Sequence, residues 1–247
     1  MPLDSPIREI GRTQQFGAPR SDVEVAGHRG FLIMPASRAR PTPWVWYAPH
    51  FDGVMPREIH TWICLRLLAG GIAIAGVDVG ESYGSPSGRR VFTDFLDALV
   101  PAYDLETRPR LLAQSRGGLM HYNWAVEHPE RVLRIAGIYP VCNLLAWPGL
   151  AQAAEAYAMT PEELQAALPE HNPIERLAPL AAAGVPIFHV HGDADEVIAM
   201  EAHSAELARR YRALGGPMEL LVIPGAGHEE ISPFFECPRL VEFLLRG

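Results

Sequence analysis

Cysteine is scarce in this chain: three residues in 247, Cys64, Cys142 and Cys237, with no C-x-x-C pair. That spacing argues against a disulfide framework or a cysteine-ligated metal, and the three read as buried thiols of a reducing compartment. Positive charge is also in the minority. With 21 Lys and Arg against 29 Asp and Glu, the net charge is −8, so the chain lacks the basic face that a nucleic-acid backbone requires. No run of about 18 apolar residues is present, and no membrane span is expected. The opening Met1-Pro2-Leu3-Asp4-Ser5-Pro6 has neither the basic start nor the apolar core of a secretory signal, and a cytoplasmic location is the expectation. Internal repeats, low-complexity tracts and linkers are missing too. What remains is one globular domain over 1–247, its 48% apolar content sufficient for a sizeable core.

Within that domain, apolar runs alternate with amphipathic stretches. Residues 22–25 and 29–34 read as a hairpin on a sheet edge, turning at Ala26-Gly27-His28. Strands are expected at 44–48, 72–77, 110–114, 132–139, 185–190 and 218–223. Helices are expected at about 56–69, 90–102, 117–127, 174–183 and 200–214, with a closing helix from Pro238. Strand–helix alternation of this length predicts an α/β fold: a mostly parallel sheet covered by helices on both faces. Ligands of such sheets bind beyond the C-terminal strand ends, where His50, Asp78, Ser115, Tyr139 and Asp193 fall. Residues 142–172 interrupt the pattern and predict a small helical lid. Its helix start is marked by Thr160-Pro161-Glu162-Glu163, a capping box with proline in the first turn.

The central motif is Arg110-Leu111-Leu112-Ala113-Gln114-Ser115-Arg116-Gly117-Gly118. It reads as a strand, a tight turn and a helix, with serine at the apex. The crowding of such a turn demands small residues two before and two after the serine, here Ala113 and Gly117, and it exposes the serine hydroxyl. A serine hydroxyl is a weak nucleophile until a base takes its proton. Of the ten histidines, only His228 lies in a Gly-flanked loop after the last strand, in Pro224-Gly225-Ala226-Gly227-His228. The acid comes from His191-Gly192-Asp193-Ala194-Asp195. A Gly-x-x-Asp spacing favours Asp195, and Asp193 is the alternative, suited otherwise to bonding the turn backbone. The order serine, acid, histidine is the one a sheet of this kind uses.

Further candidates surround this core. Two N–H groups aimed at a developing oxyanion are expected from the backbones of Phe51 and Arg116; the Arg116 side chain either meets a substrate carboxylate or forms a salt bridge. His50, Tyr83, Trp147 and Tyr157 are the candidate substrate contacts, the last two from the lid. His189-x-His191 puts two imidazoles on one strand face, a spacing some metal sites use, but no further ligand set is evident and no metal is expected.

Taken together, Ala113-Gln114-Ser115-Arg116-Gly117-Gly118, Asn172-Pro173-Ile174, His191-Gly192-Asp193-Ala194-Asp195 and Pro224-Gly225-Ala226-Gly227-His228 resemble the α/β-hydrolase superfamily over about residues 44–246. The C-terminal half is similar to dienelactone-hydrolase and prolyl-oligopeptidase-like esterases. The resemblance implies Ser115 as nucleophile, Asp195 as acid, His228 as base and Phe51 and Arg116 as oxyanion donors. Ala113 departs mildly from the family's first glycine, and His50-Phe51-Asp52-Gly53 from its commoner His-Gly pair. The β-propeller carried by oligopeptidases of this group has no room in 247 residues. The expected function is hydrolysis of short-acyl carboxylic esters, acylated carbohydrate or aryl esters among them, without a cofactor, by a monomer or homodimer. The rival readings are an aminopeptidase or amidase using the same three residues, and a non-catalytic binding protein on a hydrolase fold.

Overall fold

A computed structural model describes residues 6–51 and 56–247. Met1–Ser5, on which the leader reading rests, and Asp52-Gly53 of the loop after the first long strand lie outside the described residues. The described chain carries a nine-stranded sheet in the order β1-β2-β3-β5-β4-β6-β7-β8-β9. The strands are β1 (Ile7–Gln15), β2 (Ala18–Val25), β3 (His28–Ile33), β4 (Trp44–Ala48), β5 (Ala73–Val77), β6 (Arg110–Gln114), β7 (Arg134–Ile138), β8 (Ile187–Gly192) and β9 (Met218–Ile223). From β5 to β9 every pairing is parallel, whereas β1, β2 and β3 join antiparallel. The hairpin at 22–34 is present, but it is not the edge. β1 pairs outside it and takes that place.

The helices are α1 (Thr61–Ala69), α2 (Pro86–Tyr103), α3 (Gly117–Ala125), α4 (Leu150–Tyr157), α5 (Pro161–Ala166), α6 (Leu168–His171), α7 (Ala178–Ala182), α8 (Ser204–Ala213), α9 (Ser232–Phe235) and α10 (Pro238–Leu245). None is long and apolar enough to cross a membrane. α2 begins four residues before the predicted start, because Ser85 caps it and Pro86 fits its first turn. The stretch expected as one helix over 174–183 is instead a 3-10 turn, Pro173–Glu175, followed by α7. The Pro179 ring would clash with the carbonyl of residue 175 in a continuous helix.

Period-two alternation sorts the strands into two layers. Trp44, Trp46, Ala73, Ala75, Leu111, Ile135 and Ile187 face one core with α2, α3 and α8. Val45, Tyr47, Ile74, Leu112, Ala136 and Phe188 face the other with α1 and α10. Segment 142–172 folds into α4, α5 and α6, and the capping box forms: the Glu163 N–H donates to Thr160 Oγ1 at 3.2 Å and the Thr160 N–H to Glu163 Oε2 at 2.7 Å. The underside of the segment packs with Tyr83, Leu119 and Val141 as a third cluster. The three cysteines are buried and free.

α3 is buried on all sides, so each of its polar side chains needs a partner inside the protein. Tyr122 bonds His189 and Asn123 bonds Tyr157. His121 is the exception: both ring nitrogens are buried without a partner among the described residues, against Trp46 and Phe92. Burial lowers its pKa from 6.5 to about 3, so the unfolded chain binds a proton there that the native protein refuses. Stability on this account is whole above 6.5 and drains away as pH falls toward 3. His121→Leu is expected to stabilise the protein by about 1–3 kcal/mol at neutral pH. The gain should grow by about 1.4 kcal/mol for each pH unit below 6.5. Urea unfolding at pH 7 and pH 5 measures both, and an equal gain at the two values would contradict the account.

Candidate active site

β4 and β6 are neighbours in register, Ala48 beside Ala113, while β5 flanks β4 on the other side. Chain direction around the sheet therefore reverses at β4 and β6, and the loops leaving their C-terminal ends part to open a cleft. The cleft measures about 470 Å³ and is lined by Pro49, Phe51, Arg57, Gln114, Ser115, Arg116, Tyr139, His228 and Glu230.

Ser115 sits between β6 and α3 with φ at 48°, left-handed backbone that a non-glycine residue adopts only when its surroundings enforce it. They do so closely: a Cβ on Gly117 would overlap the Ala48 carbonyl. The Ser115 backbone N–H is taken up by the sheet. It extends the β6–β7 ladder by donating to the Ile138 carbonyl at 3.0 Å. The hydroxyl does face the cleft and donates to His228 Nε2 at 3.0 Å. His228 Nδ1–H donates to Asp195 Oδ2 at 2.8 Å. Asp195 Oδ1 accepts the N–H groups of Val197 and Ile198 at 3.0 and 2.7 Å. Burial opposes ionisation of this carboxyl, yet the donors from His191, His228 and Ile198 override it and hold it well below the usual carboxylate range. Asp193, the alternative acid, binds the Gly225 N–H through Oδ1 at 2.6 Å and braces the turn that carries His228.

Phe51 and Arg116 flank Ser115 across the cleft. Among the described residues neither backbone N–H is taken by a loop or turn hydrogen bond. The Arg116 guanidinium pairs with Glu81 at 2.7 Å and lies over Trp147, so of its two predicted fates it takes the salt bridge.

None of the four candidate substrate contacts lines the cleft. His50 is buried against Phe31. The Tyr83 hydroxyl accepts from Gln152 and its carbonyl accepts from the Tyr157 hydroxyl, so both tyrosines tie the helical insertion to the domain. Trp147 meets Tyr83 edge to face. The insertion contributes no residue to the cleft lining, and Trp147 reaches it only through Arg116.

Sequence reasoning missed Gln114, Tyr139, Arg57 and Glu230. Tyr139 follows a strand end, its ring 4.4 Å from that of His228, and burial pushes its hydroxyl pKa up. Gln114 accepts the Tyr47 hydroxyl at 2.6 Å and His60 Nε2–H at 2.9 Å, fixing the floor. Arg57 and Glu230 form an ion pair at the rim from segments 173 positions apart, a meeting that no local pattern announces.

A sequence model of the prolyl oligopeptidase family matches residues 91–244. The chain belongs to the prolyl oligopeptidase family. No curated protein matches it in sequence, but solved structures do in shape. S-formylglutathione hydrolase from Agrobacterium tumefaciens superposes with a TM-score of 0.74 at 16% identity, over 96% of this chain and 99% of its own. Est1E from Butyrivibrio proteoclasticus gives 0.63 at 17% identity, over 96% and 98%. Porphyromonas gingivalis dipeptidyl peptidase 4 gives 0.73 at 13% identity over 92% of this chain, which spans 35% of that peptidase. Likeness at these identities shows the α/β-hydrolase fold. The family is one of serine hydrolases, and its members' structural kin here include esterases and peptidases alike.

Gly117→Ala tests the turn. The methyl group would meet the Ala48 carbonyl and the Pro49 nitrogen, backbone atoms that cannot turn aside, so a loss of at least about 2 kcal/mol is expected. It would be read as a lower denaturant midpoint at constant slope; an unchanged midpoint would show that the turn has slack.

Proposed function

We propose that this member of the prolyl oligopeptidase family hydrolyses carboxylic esters of short acyl groups through an acyl-enzyme, with Ser115 as nucleophile, His228 as base and Asp195 as the orienting acid. The observation carrying the reading is the continuous pair of hydrogen bonds, Ser115 Oγ to His228 Nε2 and His228 Nδ1 to Asp195 Oδ2, at 3.0 and 2.8 Å. Asp195 accepts from Nδ1, which leaves Nε2 as the lone-pair nitrogen facing the hydroxyl. As Ser115 Oγ attacks the ester carbon, its proton moves to His228 Nε2, and the carbonyl oxygen gathers charge between the Phe51 and Arg116 N–H groups. His228 then returns the proton to the departing alkoxide. Water, deprotonated by His228, attacks the acyl carbon and frees Ser115. No step asks for a cofactor.

The short-acyl preference rests on the size of the cleft, about 470 Å³, and on the absence of insertion residues from its lining. Amide cleavage is the second reading. It draws on the family match itself and on Glu230, a carboxylate at the rim able to pair with a substrate ammonium.

Ser115→Ala is expected to lower kcat by about 10⁴–10⁶-fold on an ester such as p-nitrophenyl acetate. A fluorophosphonate should phosphonylate Ser115 in the wild-type protein and not in His228→Ala. Activity surviving in Ser115→Ala would overturn the mechanism. A matched ester and amide panel separates the two readings, since turnover of the amide at a comparable kcat/KM would replace the first by the second.

A further inference from the structure

His189-x-His191 was singled out by its spacing and is not used by the proposed chemistry. Both imidazoles project from β8 to the side of α3 and α8, and both are fully buried. Between them stands the hydroxyl of Ser204, at the start of α8: His189 Nδ1 lies 2.9 Å and His191 Nδ1 2.8 Å from its Oγ. On the far side, the Tyr122 hydroxyl lies 2.6 Å from His189 Nε2. On the near side, His191 Nε2 lies 2.8 Å from the Ile198 carbonyl and 3.2 Å from Asp195 Oδ2.

With one hydrogen on the His191 ring, donor and acceptor counting fixes every proton in this row. A carbonyl and a carboxylate only accept, so His191 Nε2 carries the hydrogen and His191 Nδ1 is a lone pair. Ser204 must then donate to His191. Its single proton is spent, so His189 Nδ1 must donate to Ser204. A neutral imidazole protonated at Nδ1 accepts at Nε2, and Tyr122 supplies that bond. His189 stays neutral because burial, with His191 beside it, lowers its pKa to about 3. Burial keeps Tyr122 protonated. Four successive donors thus point one way, from Tyr122 through His189, Ser204 and His191, and the row ends at the carboxylate that holds His228.

We infer that His191 is a positioning residue for Asp195, its tautomer matched and held by the Tyr122–His189–Ser204 row, so that its Nε2–H clamps the Ile198 carbonyl and faces Asp195 Oδ2 beside the His228 N–H. The clamp acts on the acid in two ways. It fixes the turn whose Ile198 N–H donates to Asp195 Oδ1, and it sets a positive hydrogen against the oxygen that His228 also uses. The titratable groups around His191 are Asp195 and His228 from the loops after β8 and β9, His189 on its own strand, His203 before α8 and Tyr139 after β7. The inference rests on the proposed role of Asp195.

Two measurements test it. In protein labelled with ¹⁵N-histidine, His191 should show the Nε2–H tautomer and His189 the Nδ1–H tautomer; the opposite form at either ring would overturn the row. In kinetics, His191→Phe keeps a ring but removes the donor. An expected fall in kcat on the order of 10- to 100-fold, with KM within about twofold, corresponds to losing a hydrogen bond to a charged group. The acidic limb of kcat/KM should move to higher pH, because Asp195 then gives its charge to His228 alone. His191→Gln retains an N–H and should recover most of the loss. An unchanged kcat and pH profile in folded His191→Phe, or equal damage in the glutamine variant, would overturn the inference. Should His191→Phe fail to fold, Tyr122→Phe and Ser204→Ala interrupt the row with smaller changes, and each should lower kcat with the same shift of the limb; no change in both would count against it. Fluorophosphonate labelling keeps the two claims apart: an unlabelled Ser115 in wild type sinks the triad, whereas normal labelling with an indifferent His191 sinks only the positioning role.

Discussion

A backbone that must turn from β6 into α3 at a single residue governs the site. Ser115 accepts the left-handed conformation because its own N–H and carbonyl are both occupied. The N–H goes to Ile138 of β7, and the carbonyl accepts from Gly118 and Val141. These bonds tether the apex to the neighbouring strand and to the chain beyond it, so that the turn cannot relax without breaking the ladder. Gly117 then lets α3 begin hard against the end of β4. The strain of one residue is thereby converted into a fixed direction for one hydroxyl. The same economy of space brings the other two residues in. A Cβ on Gly192 would overlap the Ala226 carbonyl, so the loops after β8 and β9 leave the sheet in contact, and Asp195 and His228 meet without long side chains having to search for each other. Preorganisation here is a property of strand order, and the side chains inherit it.

The arrangement has a cost in stability, and histidine carries much of it. His60, His121, His189 and His203 are all buried, and burial pushes the pKa of each down. Each must stay neutral for the native state to persist, so each favours the unfolded chain as the medium turns acidic. They differ in what they return. His60 braces Gln114 under the cleft, His203 accepts the Cys142 and Asn143 N–H groups through Nδ1, and His189 sits in the row behind Asp195. His121 has no such partner. It occupies a helix whose every face is covered, and nothing in the structure explains its choice over an apolar residue.

Much of this is legible in the sequence. Alternation of strands and helices, the small residues around Ser115 and the Gly-flanked His228 are local signals, enforced by sterics within a few residues, and they led to the sheet, the cleft and the three meeting side chains. β1 escaped notice because its sequence, IREIGRTQQ, carries no buried face; it is a strand only because β2 offers hydrogen bonds, and a pairing partner is not a local signal. The candidate substrate contacts meet a related limit. Tyr83 and Tyr157 have hydroxyls suited to a ligand, but each hydroxyl finds a protein partner first, and only the folded chain shows which polar atoms are already taken. Arg57 and Glu230 met across the rim from opposite ends of the chain, where composition is silent.

His189-x-His191 shows most clearly what spacing can and cannot decide. Strand geometry guarantees that two residues at period two share a face, and that much follows from the sequence. It does not say what stands opposite. Carboxylates or further imidazoles there would make the pair the start of a metal site. A single hydroxyl between the two rings makes it a relay, because a hydroxyl both accepts and donates and can therefore join two nitrogens of opposite role. Ser204 is that hydroxyl, supplied by a helix that begins more than ten residues after the strand has ended. One side chain from α8 thus determines whether two histidines gather an ion or hand a string of aligned hydrogen bonds to the acid of the neighbouring loop. The sense of that string is not free either: a carboxylate at one end admits only donors, and every proton behind it must fall into line.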